Sequence, residues 1–362
     1  MTEITFLSGG TGTPKLLDGA RDVVPPDEIT VVCNTADDAV VGGNLVCPDV
    51  DSVLYTMSDA IDREHWWGVE GDATATHDRV RAFLGFDAGG DGSATGEGDG
   101  PGAPSSALEP RAVEAHRPLG RHRTLVGAER YMTIGDRDRA THVARTELLD
   151  AGRSLTAATR HLADAMGVAA DVLPMTDDPV ATWIATPDGA MHFQEWLIRH
   201  GAEPAVEDVT FRGAERPAGP ADGGAGVDDG ATATDAVLDA IRGADGVVIG
   251  PSNPVTSVGP MLALPRLRDA LADAPVVAVS PFVGGDVVSG PAATLMAATG
   301  REPSHGGVAA SYDGFLDVLV VDEASGDVAD VVDCEVMATE TMIDGRSDAA
   351  RLFERVRDAV GA

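Results

Sequence analysis

Four short runs of β-branched and apolar residues recur along the chain: EITFLS (3–8), ITVVCN (29–34), GVVIG (246–250) and PVVAVS (275–280). Each leads into a loop and then a helical repeat. Near-continuous apolar strands belong in a sheet covered on both faces, and strands joined through helices run parallel by right-handed crossovers. The alternation predicts an α/β chain built as a Rossmann-like, doubly wound, mostly parallel sheet with a small helical subdomain. Between the first two strands, Pro14 suits a first helical turn, and Leu16, Leu17, Ala20 and Val24 fall on one face. Helical repeats also cover 233–243, 264–273 and 347–360. Ser154 is a natural N-cap for the repeat Leu155, Ala158, Leu162, Met166.

These patterns divide the chain. Residues 1–86 and 171–362 are expected to form the Rossmann-like core, and 125–170 the helical subdomain. Residues 87–124 contain AGGDGSATGEGDGPGAPSS and are expected to be a disordered low-complexity insertion, because they offer too little apolar surface to bury. A shorter loop of the same kind covers 213–233.

In such sheets ligands bind beyond the carboxyl ends of the strands. After the first strand comes Gly9-Gly10-Thr11-Gly12-Thr13-Pro14-Lys15, where glycines and a helix start let backbone N–H groups approach an anion. Lys15 stands where a dinucleotide fingerprint has its third glycine, and the spacing is not that of a Walker loop. Of the 26 basic residues it is the one lysine, the other 25 being arginine, which points to a required amine contacting phosphate or carboxylate. After the second strand, Asn34, Asp37, Asp38, Asp49 and Asp51 cluster, and carboxylates near strand ends suit magnesium, although Asp and Asn also serve ordinary turns. Asp51 is a candidate to orient or deprotonate a hydroxyl, or else a cap for a helix starting at Ser52. Gly250-Pro251-Ser252-Asn253-Pro254 and Ser280-Pro281 follow two further strands and present hydroxyl, amide and backbone donors. Gly135–His142 (GDRDRATH) is a dense polar cluster that also reads as a surface ion-pair network.

The charge sets limits. At −33 the chain is repelled by nucleic acid, which needs clustered basic residues. Acidity spread over the whole length, with lysine almost absent, reads as adaptation to high internal salt, as in a halophilic archaeon. No apolar run is long enough to span a bilayer, and the start lacks the basic region of a signal peptide, so a cytoplasmic location is expected. Cys33, Cys47 and Cys334 have no metal-ligand spacing.

Eight segments in order, FLSGGTGTPKLLDG, VVCNTADD, PDVDSVLYTMSD, IGDRDRATH, VLPMTDDPVATWI, MHFQEW, IGPSNPVTSVGP and AVSPFVGGDVVSGPA, together resemble the 2-phospho-L-lactate transferases of deazaflavin coenzyme biosynthesis. The resemblance implies transfer of a phospho-lactyl or related three-carbon phospho-acid group. The donor would be guanosine diphosphate-linked, the acceptor 7,8-didemethyl-8-hydroxy-5-deazariboflavin, and the products the coenzyme F-420 core and GMP. It implies magnesium, held by Asp37, Asp38 and Asp51, and a homodimer. Catalysis would involve Asp51 and Lys15, with the acceptor near Asp51, Thr133, Asp136 and Arg137. Gly10, Thr11, Gly12, Lys15, Asn34, Ser252, Asn253 and Ser280 would face the nucleotide and its phosphates. Two features depart from the pattern: the 87–124 insertion, and Thr133 where relatives are expected to carry a basic residue. A non-catalytic nucleotide-sugar-binding regulator of the gluconeogenesis-factor type is the alternative, and PDVDSVLY, IGDRDRATH and HFQEW favour the transferase.

Overall fold

The computed structural model describes residues 3–86, 122–214, 230–288, 290–325 and 334–361. The chain opens with β1 (Ile4–Ser8), α1 (Gly12–Ala20), β2 (Ile29–Cys33), β3 (Ala39–Val41), β4 (Asn44–Val46), α2 (Pro48–Met57) and α3 (Ala75–Phe83). Next come α4 (Asp136–Asp150), α5 (Leu155–Met166), β5 (Asp171–Pro174), β6 (Ala181–Thr186), β7 (Gly189–His192) and β8 (Asp208–Arg212). Then follow α6 (Asp235–Gly243), β9 (Gly246–Ile249), α7 (Gly259–Leu262), α8 (Leu267–Ala272), β10 (Val276–Val279), β11 (Phe282–Val283) and β12 (Asp286–Val287). The last elements are α9 (Ala292–Ala298), α10 (His305–Ser311), β13 (Val318–Asp322), β14 (Glu335–Thr339) and α11 (Arg346–Val360).

The central sheet has seven strands in the order β14-β13-β10-β9-β1-β2-β5, every neighbouring pair parallel. The doubly wound α/β architecture expected from the sequence is therefore present. Successive side chains of a strand point to opposite faces, so each strand feeds two cores. Leu7, Val32, Leu173, Val247, Ile249 and Ala278 pack against α6, α8 and α9 on one face. Phe6, Val31, Val172, Val248 and Val277 pack against α1, α2, α5 and α11 on the other. Both faces being covered explains why these strands read as continuous apolar runs.

Ser154 caps α5, its hydroxyl accepting the Ala157 N–H at 3.2 Å. Leu149 of α4 and Leu155, Ala158 and Leu162 of α5 share the apolar cluster that includes β2 and β5. Of the expected insertion, 87–121 lies outside the described residues. Residues 122–124 join the fold: the Val40 N–H donates to the Arg123 carbonyl at 2.8 Å, the Leu125 N–H donates to the Val40 carbonyl at 2.9 Å, and Thr124 bridges Val40. Similarly, 215–229 lies outside, and the Ala231 N–H bonds the Gly213 carbonyl at 2.6 Å at the margins of that loop. Among the described residues no helix is long and apolar enough to cross a membrane.

Candidate active site

Strand order runs outward in opposite directions from β1 and β9, and such a reversal opens a crevice at the carboxyl ends of the two strands. The loop after β1 and the loop after β9 meet there. Gly10 has φ +65°, which a residue with a Cβ adopts only under strain. A Cβ on Gly12 would stand 2.0 Å from the Pro251 carbonyl oxygen, so only glycine permits this approach of the two loops. The Ser252 hydroxyl donates to the Gly9 carbonyl at 2.7 Å and is 2.8 Å from the Thr13 hydroxyl. A third loop joins from behind β2: the Asn34 amide donates to Asp49 at 2.8 Å and to the Thr256 carbonyl at 3.3 Å. The Gly10 N–H donates to the other Asp49 oxygen at 2.7 Å. Burial raises Asp49 to about 6, against the pull of Asn34 and Gly10.

Several residues expected to face a nucleotide therefore hold the crevice together instead of lying open. Asn34 and Ser252 are buried with their polar atoms partnered inside the protein. Asn253 accepts the Val255 N–H at 2.9 Å through its side-chain oxygen. Ser280 accepts the Phe282 N–H at 3.3 Å and pairs with His305 Nδ1 at 2.8 Å. Thr11 and Gly12 start α1 at the mouth of the crevice, where a helix dipole favours an anion. The Lys15 ammonium stands 5.8 Å from the centre of the Trp66 ring, and Trp66 has φ +64°, unusual for so large a side chain.

A second group lies behind the hairpin β3–β4. Asp51 belongs to the first turn of α2, which starts at Pro48, so it sits inside the helix and does not cap one beginning at Ser52. Its carboxylate is gripped by both terminal nitrogens of the fully buried Arg145, one of them at 3.1 Å. His142 Nε2 lies 3.2 Å from Asp51 Oδ2 and 3.2 Å from Asp138 Oδ1. The Tyr55 hydroxyl donates to Asp138 at 2.8 Å. Burial works against charge on Asp51, but Arg145 and His142 outweigh it and hold the carboxyl at about 2. Burial also works against a charged His142, yet its bonds to Asp138 and Asp51 raise it to about 8.

Among the described residues, Asp51, Asp138 and His142 are the side chains whose ligating atoms converge, all within 4.8 Å of one another. Asp37 and Asp38, the expected partners of Asp51, do not join that group. They are buried nearby, burial pushes both well above the usual carboxylate range, and three of their oxygens have no hydrogen-bond partner. A divalent cation bound here would take the place of the His142 proton, because a ligating imidazole is neutral, so metal binding at Asp51, Asp138 and His142 competes with protonation of His142. Elsewhere, Thr133 is exposed. Asp136 accepts the Thr76 N–H at 2.9 Å, and Arg137 donates to the Glu70 carbonyl and, through its backbone, to Asp72 at 2.9 Å. Both tie the start of α4 to the 70–76 segment.

Residues 4–352 match the family described as 2-phospho-L-lactate transferase CofD. The chain belongs to that family. It is 51% identical to a 2-phospho-L-lactate transferase of Haloarcula marismortui over 357 residues, covering 99% of this chain and 98% of the relative. It is 50% identical to the transferase of the same name from Halobacterium salinarum, over 99% and 98% of the two chains. For that of Methanosarcina acetivorans the identity is 40%, over 97% of each. A crystal structure of a upf0052-family protein from Bacillus halodurans shares the fold with a TM-score of 0.52 at 16% identity, over 98% of both chains. As a CofD-family member the chain is an enzyme of the transferase class. Sequence reasoning passed over Arg145, which grips Asp51. Its signal is the spacing 138, 142, 145, which places Asp138, His142 and Arg145 on one face of α4.

Proposed function

We propose that the chain transfers a phospho-lactyl or related three-carbon phospho-acid group from a guanosine diphosphate-linked donor to 7,8-didemethyl-8-hydroxy-5-deazariboflavin, giving the coenzyme F-420 core and GMP. The observation that carries this reading is a glycine-loop crevice and a buried carboxylate–imidazole group in one molecule, which we read as the two halves of a phosphoryl-transfer site. One half is the glycine-loop crevice between β1 and β9; the other is the buried Asp51–Asp138–His142 group. In such a reaction the acceptor's terminal hydroxyl oxygen bonds to the phosphorus bearing the acid, and the bond from that phosphorus to the GMP oxygen breaks. The hydroxyl proton leaves to a base or water. The work of the protein is positioning and charge stabilisation.

The loop after β1 and the start of α1 receive the diphosphate, with Lys15 adding positive charge. Asp51 and Asp138 would hold magnesium, which when bound neutralises charge on the phosphates. With its charge shared by Arg145 and His142, Asp51 is a weak proton acceptor, and its part is to orient the hydroxyl and hold charge in place. The acceptor lies toward the start of α4, near Thr133, Asp136 and Arg137. The reading carries with it a cytoplasmic homodimer working in high salt. The alternative, a non-catalytic nucleotide-sugar-binding regulator, gives no reason for the buried acidic group. Purified protein at high salt, given magnesium, donor and deazaflavin, is expected to release GMP only when the acceptor is present, as read by mass spectrometry. Tight nucleotide binding without turnover would favour the regulator.

A further inference from the structure

Ser257 stands in the loop after β9 with Ser252 and Asn253, but the three side chains do different work. Those of Ser252 and Asn253 are bonded inside the protein. The Ser257 hydroxyl has no hydrogen-bond partner among the described residues, and its oxygen is not sealed from solvent although the residue is only 5% exposed. The backbone around it is fixed. The Ser257 N–H donates to the Asn253 carbonyl at 3.0 Å, and the Thr256 carbonyl accepts the Asn34 amide at 3.3 Å. The glycine loop is shaped to it. A Cβ on Gly9 would stand 2.7 Å from the Ser257 Cβ, and one on Gly10 would stand 3.3 Å from the Ser257 Oγ. A side chain at 9 would displace Ser257, and one at 10 would crowd its hydroxyl. The hydroxyl thus lies against the residue that precedes the N-cap of α1. Thr11 starts α1 without capping it through its side chain, so the leading N–H groups of the helix keep their capacity for an anion. A buried hydroxyl without a partner costs free energy, and such groups persist where a ligand completes them.

We propose that Ser257 is a phosphate-binding residue of the donor site. Its hydroxyl donates to one oxygen of the diphosphate, whose other oxygens accept the N–H groups at the start of α1. Lys15 supplies charge on a flexible stem, whereas Ser257 supplies a direction, because its backbone is held by Asn253 and Asn34. Ser252 and Asn253 keep the two loops in place, and the contact with the ligand passes to the serine five residues beyond Ser252. The inference rests on the crevice between β1 and β9 receiving the diphosphate, and it adds which side chain of the loop after β9 touches it.

The test measures the affinity of the full chain at high salt for inorganic pyrophosphate and for guanosine diphosphate, with a melting curve of each unliganded preparation. Ser257→Ala is expected to weaken both ligands by about tenfold or more, as loss of a hydrogen bond to a charged group requires, at an unchanged melting temperature. Ser257→Cys fills the same space with a weak donor and is expected to lose nearly as much. Wild-type affinity in Ser257→Ala overturns the proposal. So does full affinity in Ser257→Cys alone, which would make the filled volume matter and not the bond. A fall in melting temperature of both variants, parallel to the loss of affinity, marks a structural role and also overturns it. If the wild-type chain binds neither pyrophosphate nor guanosine diphosphate, the crevice is no diphosphate site, and the proposed function fails together with this inference.

Discussion

Asp51 has two roles that a mutation cannot separate. From the sequence it is a carboxylate placed to orient or deprotonate a hydroxyl. In the fold it also neutralises Arg145, whose side chain is completely buried. Removing one partner of a buried ion pair costs about 3–5 kcal/mol, because the other charge is left unpaired in a poorly polarisable interior. Asp51→Asn is therefore expected to lower thermal stability sharply as well as turnover. Asp138 is the cleaner probe: its side chain keeps 17% exposure, and Asn in its place still accepts the Tyr55 hydroxyl. Asp138→Asn is expected to melt within a few degrees of wild type and to lose about a hundredfold in turnover, with nucleotide affinity unchanged. Melting curves, single-turnover rates and nucleotide titration on one preparation check this, and normal turnover would remove the acidic group from the mechanism.

At the scale of elements, α4 and the low-complexity insertion were legible to different degrees. The insertion announces itself by composition, and 87–121 of it lies outside the described residues. Its end does not follow from composition, because Arg123 and Thr124 enter the fold through backbone bonds to Val40 and through the Arg123 guanidinium 5.3 Å from the Trp183 ring. Backbone pairing depends little on residue type, so the letters HRT gave no sign of it. Replacing residues 90–118 by a short Gly-Ser linker is expected to leave turnover within about threefold of wild type. Extending the deletion through 124 is expected to destabilise the β3–β4 hairpin and abolish turnover. Equal activity of the two deletions would show that the Val40 bridge is dispensable. For α4 the polar letters of GDRDRATH suited a surface network equally well. Its inward face became evident only when Arg145, His142 and Asp138 were found around Asp51, 94 residues from Arg145 in sequence.

For the whole molecule the governing quantity is charge. A net charge of −33 on 362 residues repels itself at low ionic strength. Ion pairs oppose this locally, as where Arg21 and Arg63 share Asp18 and Asp59, and Arg346 binds Asp22 at 2.5 Å. Exposed pairs contribute only about 0–1 kcal/mol each. Screening therefore removes more repulsion than attraction. The melting temperature is expected to rise by about 10 °C or more between roughly 0.2 M and 3 M potassium chloride. Calorimetric scans across that range check it, and a flat or falling profile would count against the high-salt reading of the composition.

What the amino-acid sequence determined by itself is whatever depends on neighbours in the chain. Apolar β-branched runs become buried parallel strands, the 3.6-residue repeat between them becomes covering helices, and Ser154 caps α5 as its letters require. The glycines at 10 and 12 mark the loop where two stretches of backbone come close. Tertiary structure alone decided what each polar side chain does there. Asn34, Ser252 and Asp49 lie on three different loops, and their hydrogen bonds exist because β2, β9 and α2 start or end at one edge of the sheet. Likewise, the pairing of Asp51 with Arg145 depends on α2 and α4 packing around one hairpin. A carboxylate's partner is fixed by distance in space, and a local pattern carries no information about which distant residue will supply it.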